Sequence, residues 1–193
     1  MTGPDDETGE IALYGGSFDP PHMGHVYVIA HVLATEPVDG LWLVPAYSHA
    51  FGKSMASFTD RVRMCELAAE VFGSRVLVSR VEEEIRAGDQ PSYTVDTLEH
   101  LCRLFPKRRF ALVVGSDNLG GLTRWKDADR IRELVRLVVV GREGYATGDA
   151  GASIPDISST LVRRRLAAGE DVTGLVPIEI ARLCEERGFY RGS

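Results

Sequence analysis

The sequence is poor in cysteine and has no long apolar run. Its 193 residues include three cysteines, Cys65, Cys102 and Cys184, which are widely separated. This spacing predicts neither a disulfide framework nor a zinc knuckle, so we expect reduced, buried thiols. No stretch of about 18 apolar residues occurs, and we therefore expect no part of the chain to span a membrane.

An excess of positive charge is also lacking, since the formal net charge is -6. Nucleic-acid binding relies on lysine and arginine neutralising many phosphates, so this balance argues against a nucleic-acid partner. Residues 1–7 are polar and acidic, the opposite of the basic start of a secretory leader. We expect residues 1–9 to be a flexible, uncleaved tail, residues 10–193 to be a single domain, and the protein to be cytoplasmic.

Two common nucleotide-binding fingerprints are absent as well. The sequence contains neither Gly-x-Gly-x-x-Gly nor Gly-x-x-x-x-Gly-Lys. The first marks dinucleotide-binding oxidoreductases and the second marks P-loop proteins. Neither class is therefore indicated by its usual motif.

The rest of the chain is organised around residues 14–25. This segment reads Tyr-Gly-Gly-Ser-Phe-Asp-Pro-Pro-His-Met-Gly-His, between an apolar strand-like run and a stretch with helical spacing. A strand, a tight turn and a helix start would gather backbone N–H groups and the positive end of the helix dipole at one point. Such a point favours a phosphate group, and His22 and His25 would face it.

The two histidines favour a functional turn, because a structural turn needs glycine and proline but no imidazole. Imidazoles can hydrogen-bond phosphoryl oxygens and, when protonated, neutralise charge that develops during phosphoryl transfer. A glycine-rich turn with solvent-facing histidines is the structural alternative. A metal site is indicated less strongly, because His-x-x-His supplies two ligands and no nearby Cys or carboxylate has the spacing to complete a tetrahedral set.

Beyond this segment, strand-like and helix-like segments alternate, which predicts parallel βαβ units. We expect a Rossmann-like α/β fold, with an open, mostly parallel sheet of five or six strands and helices on both faces. A helix over residues 59–71 would be capped by Thr59 or Asp60, and one from residue 91 to about 104 by Ser92 or Thr94. The charged residues 82–84 are expected to form a solvated connection.

Two segments resemble the nucleotidyltransferase superfamily marked by His-x-Gly-His. One is Gly-Ser-Phe-Asp-Pro at residues 16–20 with His-Met-Gly-His at 22–25, and the other is Ile-Ser-Ser-Thr-Leu-Val-Arg at 157–163. Members of this superfamily join a nucleoside monophosphate from a triphosphate to a phosphorylated acceptor. The resemblance implies three catalytic residues that also bind ATP: His22, His25 and Arg163. It further implies these ATP-binding residues: Gly15, Gly16, Ser17, Phe18, Asp117, Ser158 and Ser159.

Each of these assignments has a structural alternative. The Ser-Ser-Thr cluster at 158–160 could simply cap a helix with an exposed basic face. Asp117, in a segment that looks like the family's Gly-x-Asp, could accept ribose hydroxyls or cap a helix. Arg164 and Arg165 are not part of the motif.

Other segments resemble the nicotinate-mononucleotide adenylyltransferases. Residues 92–98 are similar to a Ser-Tyr-Thr-x-x-Thr-Leu segment whose helix start, near Tyr93 and Thr94, receives the acceptor's carboxylate; capping alone is the alternative. The family has a tryptophan at the position of Trp125 that stacks on the pyridine ring, where a core position is the alternative. Its acceptor loop usually carries Pro-Pro-His-Lys, whereas residues 49–53 read His-Ala-Phe-Gly-Lys. His49 and Lys53 are carried over as acceptor-binding residues, and an ordinary surface loop is the alternative.

The resemblance implies adenylyl transfer in NAD biosynthesis. The phosphate of nicotinate mononucleotide would attack the α-phosphorus of ATP and give deamido-NAD and pyrophosphate. The implied partners are ATP and a pyridine mononucleotide, with Mg²⁺ delivered with ATP and no dedicated metal site. Nicotinamide mononucleotide or phosphopantetheine is the alternative acceptor. A nucleotide-binding regulator without activity is the alternative from another class.

Overall fold

The computed structural model describes residues 8–47, 55–85, 93–141 and 157–191, without the side chains of Asp117 and Asn118. Residues 1–7 of the predicted tail lie outside these ranges, as do His49 and Lys53.

The strands form one parallel sheet. They are β1 (Gly9–Gly16), β2 (Gly40–Pro45), β3 (Val76–Val78), β4 (Arg108–Gly115) and β5 (Arg136–Val140). Their order is β3-β2-β1-β4-β5, and Leu13 of β1 is in register with Trp42 of β2 and Leu112 of β4. This five-stranded parallel sheet confirms the predicted fold class.

Helices connect the strands. They are α1 (Met23–Thr35), α2 (Phe58–Ala69), α3 (Val81–Glu84), α4 (Thr94–Leu104), α5 (Ser116–Leu119), α6 (Ala128–Leu134), α7 (Ser159–Ala167) and α8 (Ile178–Arg187). Short 3-10 segments cover Glu70–Arg75 and Leu122–Arg124. Within the described ranges, no helix is long and apolar enough to cross a membrane.

The two faces of the sheet are both covered, because side chains alternate along each strand. Ala12 of β1 belongs to an apolar cluster with Ile29 of α1 and Cys65 of α2. Its neighbour Leu13 belongs to a second cluster, on the opposite face, that includes residues of α4 and α6. Residues of α2, α7 and α8 form a third cluster beside the sheet. The near-continuous apolar strands are explained by this double coverage.

Two local predictions were wrong, and a third was confirmed only in part. Helix α2 begins after Ser57, whose Oγ accepts the backbone N–H of Asp60, so Ser57 is the cap and Thr59 and Asp60 lie inside the helix. The cap position of α4 is Tyr93, without a capping bond from its side chain. Residues 82–84 are partly or fully exposed as expected, but they form the short helix α3 rather than an irregular connection, and buried Val81 packs that turn against the sheet.

Candidate functional site

The candidate site lies at the carboxyl ends of the parallel strands. The chain leaves β1 at Gly16, turns through residues 17–22 and enters α1. The strand order changes direction between β1 and β4, since β2 and β3 extend the sheet on one side and β4 and β5 on the other. In open α/β sheets, ligands bind in the crevice at such a point.

The two glycines that end β1 have different reasons to be glycine. A Cβ added to Gly16 would lie 3.1 Å from the ring of Phe18, so packing within the turn disfavours a side chain there. A Cβ on Gly15 would meet no atom closer than 4.0 Å, and Gly15 is exposed. The absence of a side chain at Gly15 therefore leaves the backbone accessible from the crevice.

Phe18 is buried inside the turn after β1 and packs against residues on both sides of it. Its φ angle is +48°, which is uncommon for a residue other than glycine, and its side chain is 1% exposed. The ring makes edge-on contacts with Tyr14 and with His25, at centroid distances of 5.5 and 5.0 Å. With its ring covered, Phe18 contributes packing beneath His25 and can meet a ligand only through its backbone.

His22 and His25 lie against each other at the start of α1. Their ring centroids are 3.8 Å apart, and His22, the N-cap residue, is buried. The backbone N–H of His22 donates to Nδ1 of His25 at 3.0 Å. Because this Nδ1 accepts, a neutral His25 carries its proton on Nε2 and can donate from that atom.

Helix α7 is docked onto the same turn, which brings the two sequence motifs together. Ser158 caps the helix by accepting the N–H of Leu161 at 3.2 Å. The Ser159 hydroxyl donates to the carbonyl of Pro20 at 2.9 Å, and Nη1 of Arg163 donates to the carbonyl of Asp19 at 2.6 Å. The arginine side chain is 28% exposed, so it is held by the turn and still reaches solvent.

Sequence reasoning gave no role to Asp19, although it lies inside the motif. Its carboxylate is buried and accepts the N–H of Ala56 at 3.0 Å and the hydroxyl of Tyr190 at 2.6 Å. The pKa of the Tyr190 phenol is raised by burial first and by this hydrogen bond second, so the phenol stays a neutral donor. No pattern in the sequence points to Tyr190.

Arg61 was also missed, and it is 1% exposed. Its guanidinium donates to the carbonyls of Ser17, Tyr47 and Ala56 at 2.8, 3.1 and 3.1 Å. Burial lowers the pKa of this guanidinium, and the negative charge of Asp19 opposes that effect. A signal did exist, because Arg61 stands three, four and seven positions before buried residues of α2 and therefore on its apolar face.

The residues predicted to bind the acceptor lie at the start of α4 and after β4. Tyr93 is exposed, and the Lys126 ammonium lies 4.7 Å from its ring centroid. Lys126 also contacts both carboxylate oxygens of Asp96 at 3.1 Å. Trp125 is partly buried against the core cluster of the α4 face, and Thr94 is the first residue of α4. The start of α4 and the segment carrying Trp125 are thus neighbours.

Asp117 is the second residue after β4, in the short helix α5, which places its backbone at the carboxyl edge of the sheet. His49 and Lys53 lie outside the described residues. Within the ranges that are described, no group of three or more His, Cys, Asp or Glu side chains could hold a metal ion.

The chain has a parallel sheet, a turn after β1 that suits a phosphate, and a second helix whose start packs on that turn. Together these features define a nucleotidyltransferase-like α/β protein. The chain belongs to the cytidylyltransferase-like family, whose sequence model matches residues 13–165.

Relatives in that family are similar along nearly the whole chain. A probable nicotinate-nucleotide adenylyltransferase of Anaeromyxobacter dehalogenans (strain 2CP-1 / ATCC BAA-258) is 47% identical over 95% of this chain and 97% of its own. One of Myxococcus xanthus (strain DK1622) is 43% identical, with 94% of each chain covered. The fold is similar to that of Plasmodium falciparum nicotinic acid mononucleotide adenylyltransferase complexed with NaAD, with a TM-score of 0.81, 19% identity and coverage of 94% and 97% of the two chains.

Proposed function

We propose that the protein transfers the adenylyl group of ATP to nicotinate mononucleotide, producing deamido-NAD and pyrophosphate for NAD biosynthesis. The observation that carries the proposal is the docking of α7 on the β1–α1 turn. It places Arg163 on the segment that holds the stacked pair His22 and His25. The relatives from Anaeromyxobacter and Myxococcus bear the name of this activity.

The reaction requires no protein nucleophile, because the acceptor brings its own ionised phosphate. That phosphate oxygen forms a bond to the α-phosphorus of ATP while the bond to the bridging oxygen of pyrophosphate breaks. Charge then accumulates on the transferred and leaving phosphoryl oxygens. Positioning of the reactants and stabilisation of this charge are therefore the main contributions of the protein.

The residues of the turn would bind the triphosphate. Exposed Gly15 would let a phosphate approach the backbone, and His25 would donate from Nε2, with His22 stacked beside it. Arg163 would neutralise charge on the leaving pyrophosphate, since a planar guanidinium suits phosphate oxygens. The Ser159 hydroxyl donates a hydrogen bond to the carbonyl of Pro20 and would hold α7 in place. The backbone amide of Ser159 would then face the phosphates.

Mg²⁺ would enter as part of the substrate, bound to the ATP phosphates and water. Magnesium commonly retains several water ligands and binds through substrate phosphates. The buried carboxylate of Asp19 already accepts two hydrogen bonds and faces Arg163. It is therefore better suited to hold protein groups than to coordinate the ion.

The acceptor would lie towards α4 and Trp125. Amides at a helix start favour an anion, which suits the carboxylate of the nicotinate ring near Tyr93 and Thr94. The indole of Trp125 would stack on the pyridine. Asp117, His49 and Lys53 keep their proposed roles in binding ribose and acceptor.

A pyrophosphate-release assay with ATP tests the activity. Nicotinate mononucleotide, nicotinamide mononucleotide and phosphopantetheine would be offered separately, with His25→Ala as the variant expected to lose most turnover. Formation of pyrophosphate from ATP in the absence of any acceptor would indicate ATP hydrolysis instead. Absence of turnover with every acceptor, combined with ATP binding, would favour an inactive regulator.

The acid acceptor should be preferred over the amide. One lost charge-assisted contact is worth about 1.5–3 kcal/mol, or on the order of tenfold to a hundredfold in kcat/KM. Trp125→Ala should reduce kcat/KM for both acceptors by a similar factor, because stacking does not distinguish the ring substituent. Equal use of acid and amide by the intact protein, or preference for phosphopantetheine, would contradict the acceptor assignment and leave adenylyl transfer intact.

A further inference from the structure

Tyr190 links the C-terminal part of the described chain to the turn after β1. Its hydroxyl donates to Oδ1 of Asp19 at 2.6 Å across a separation of 171 residues. The same oxygen accepts the N–H of Ala56 at 3.0 Å. The Asp19 side chain is 3% exposed, so protein donors replace the water that a carboxylate would otherwise bind.

Asp19 also contacts Arg163 in two ways. Nη1 of Arg163 donates to the Asp19 carbonyl at 2.6 Å and lies 3.6 Å from Oδ2 of its carboxylate. On the other side, Nη2 donates to Oγ1 of Thr160 at 3.2 Å. The guanidinium plane is thus restrained by the turn and by its own helix, and its remaining donors have a defined orientation.

The charges explain why a neutral donor is needed on Asp19. Arg61 supplies a second positive charge near the Asp19 carboxylate, because its guanidinium donates to the carbonyl of Ala56, whose own N–H donates to Oδ1 of Asp19. The carboxylate therefore interacts with two cations, and its orientation determines how strongly it attracts each of them. A hydroxyl and an amide restrain Oδ1, while Oδ2 lies 3.6 Å from Nη1 of Arg163, which is longer than a hydrogen bond.

We propose that Tyr190 and Asp19 are positioning residues that keep the Arg163 guanidinium directed at the phosphates of ATP. This inference rests on the proposed function of the site. Without the Tyr190 hydroxyl, the carboxylate would turn towards Arg163 and shorten the present 3.6 Å separation to a hydrogen-bonded ion pair. That ion pair would compete with the triphosphate for the same N–H donors.

The first test is Tyr190→Phe, measured by calorimetric binding of a non-hydrolysable ATP analogue. We expect the dissociation constant to rise by about tenfold, since the released carboxylate would compete with the analogue for the N–H donors of Arg163. In steady-state assays, KM for ATP should rise while KM for the acceptor stays unchanged. Tyr27→Phe is the matched control, because Tyr27 stacks on His31 within α1 and lies outside the contacts of Asp19. An unchanged dissociation constant with a lowered melting temperature would overturn the proposal, because Tyr190 would then only anchor the chain.

A double-mutant cycle separates positioning from general loosening of the site. Arg163→Ala removes the group on which Tyr190 is proposed to act, so Tyr190→Phe should weaken analogue binding no further in that background. Additive losses would overturn the proposal. If Tyr190→Phe fails to fold, Asp19→Asn replaces it in the same cycle. This variant cannot form the competing ion pair, but it removes the charge that restrains the Arg163 guanidinium from Oδ2. It should therefore raise the dissociation constant in the protein that retains Arg163, and an unchanged value would overturn the proposal.

The double-mutant cycle measures binding of the ATP analogue without any acceptor, so its outcome does not depend on adenylyl transfer. Intact protein that binds the analogue but releases no pyrophosphate with any acceptor would contradict the proposed function alone. Turnover in the intact protein with no effect of Tyr190→Phe on ATP binding would contradict the positioning role alone.

Discussion

At the scale of single residues, adjacent positions with the same amino acid differ in what surrounds them. Gly16 is constrained from inside by the ring of Phe18, whereas Gly15 has open space on the side where a Cβ would lie. Arg163 is held by the turn, whereas Arg164, the next residue, is exposed. Each pair provides a matched comparison between a residue at the site and its neighbour.

Gly15→Ala should leave the free energy of unfolding nearly unchanged but reduce ATP affinity by tenfold or more, on the order of 1.4 kcal/mol. The added methyl group would occupy space that we assign to a phosphate. Gly16→Ala should instead lower stability by about 1–3 kcal/mol, because the Phe18 ring must move. Urea denaturation and calorimetric ATP binding measure the two effects. Undiminished ATP affinity in Gly15→Ala would place the nucleotide elsewhere.

Arg163→Lys should lower kcat/KM for ATP by about tenfold to a hundredfold, since one ammonium cannot reproduce the planar fork. Lysine also cannot contact the Asp19 carbonyl and the Thr160 hydroxyl with two separate nitrogens. Arg164→Lys should have almost no effect. The measurement is steady-state pyrophosphate release, and equal sensitivity of the two positions would contradict the role given to Arg163.

At the scale of elements, α2 connects the stability of the fold to the site. Its first turn is capped by Ser57, its apolar face packs on the sheet and on α8, and it carries Arg61 to the carbonyl of Ser17. A buried guanidinium that donates to three carbonyls needs the helix beneath it to stay in place. The start of α2 therefore contributes to the stability of the fold, although Ser57 itself is exposed.

Ser57→Ala should lower the free energy of unfolding by about 0.5–2 kcal/mol, because the N–H of Asp60 loses its acceptor. Thr59→Ala, two residues into the helix on an exposed position, should stay within about 0.5 kcal/mol of the intact protein. Urea denaturation at neutral pH distinguishes the two. A larger loss of unfolding free energy in Thr59→Ala than in Ser57→Ala would indicate that Thr59 caps the helix, as the sequence pattern suggested.

At the scale of the whole molecule, burial of weak acids links stability to alkaline pH. Burial raises the pKa of Cys184 to about 11 and also raises the pKa of the Cys65 thiol and the Tyr190 phenol. In the unfolded chain, thiols lose their protons near pH 8.5 and phenols near about 10. Above those values the folded state binds more protons than the unfolded state, so stability falls as the pH rises.

Below about pH 8.5, these groups are protonated in both the folded and the unfolded state, so their contribution to the free energy of unfolding should be fully present. Above that pH it should decline by up to roughly 1.4 kcal/mol per pH unit for each group. Urea denaturation between pH 8 and 10.5 in the presence of a reductant measures the slope. Cys184→Ala should show a shallower decline than the intact protein. A stability that is flat or rises over this range would contradict the buried state of the thiols.

The sequence by itself determined the order of the elements and the main motif. The alternation of strand-like and helix-like segments indicated parallel βαβ units, and strands such as β2 and β4 do lie parallel in one sheet. Glycine, proline and the two histidines at 15–25 indicated the turn between β1 and α1. These features are local, because the periodicity of a strand or helix and the backbone preferences of glycine and proline act over a few residues. Helix caps were less predictable, since several neighbouring residues could accept the same N–H.

Only the tertiary structure decided which distant groups meet at the turn. It packed Arg163 and Ser159 against Asp19 and Pro20, buried Arg61 under Ser17, and brought Tyr190 onto the Asp19 carboxylate. Arginine is a residue type that usually lies at the surface, so the helical spacing of Arg61 indicated burial but no partner, and Tyr190 follows no periodic pattern. Each is fixed by the requirement that a buried polar group find a partner, and that partner is chosen by distance in space rather than by separation along the chain.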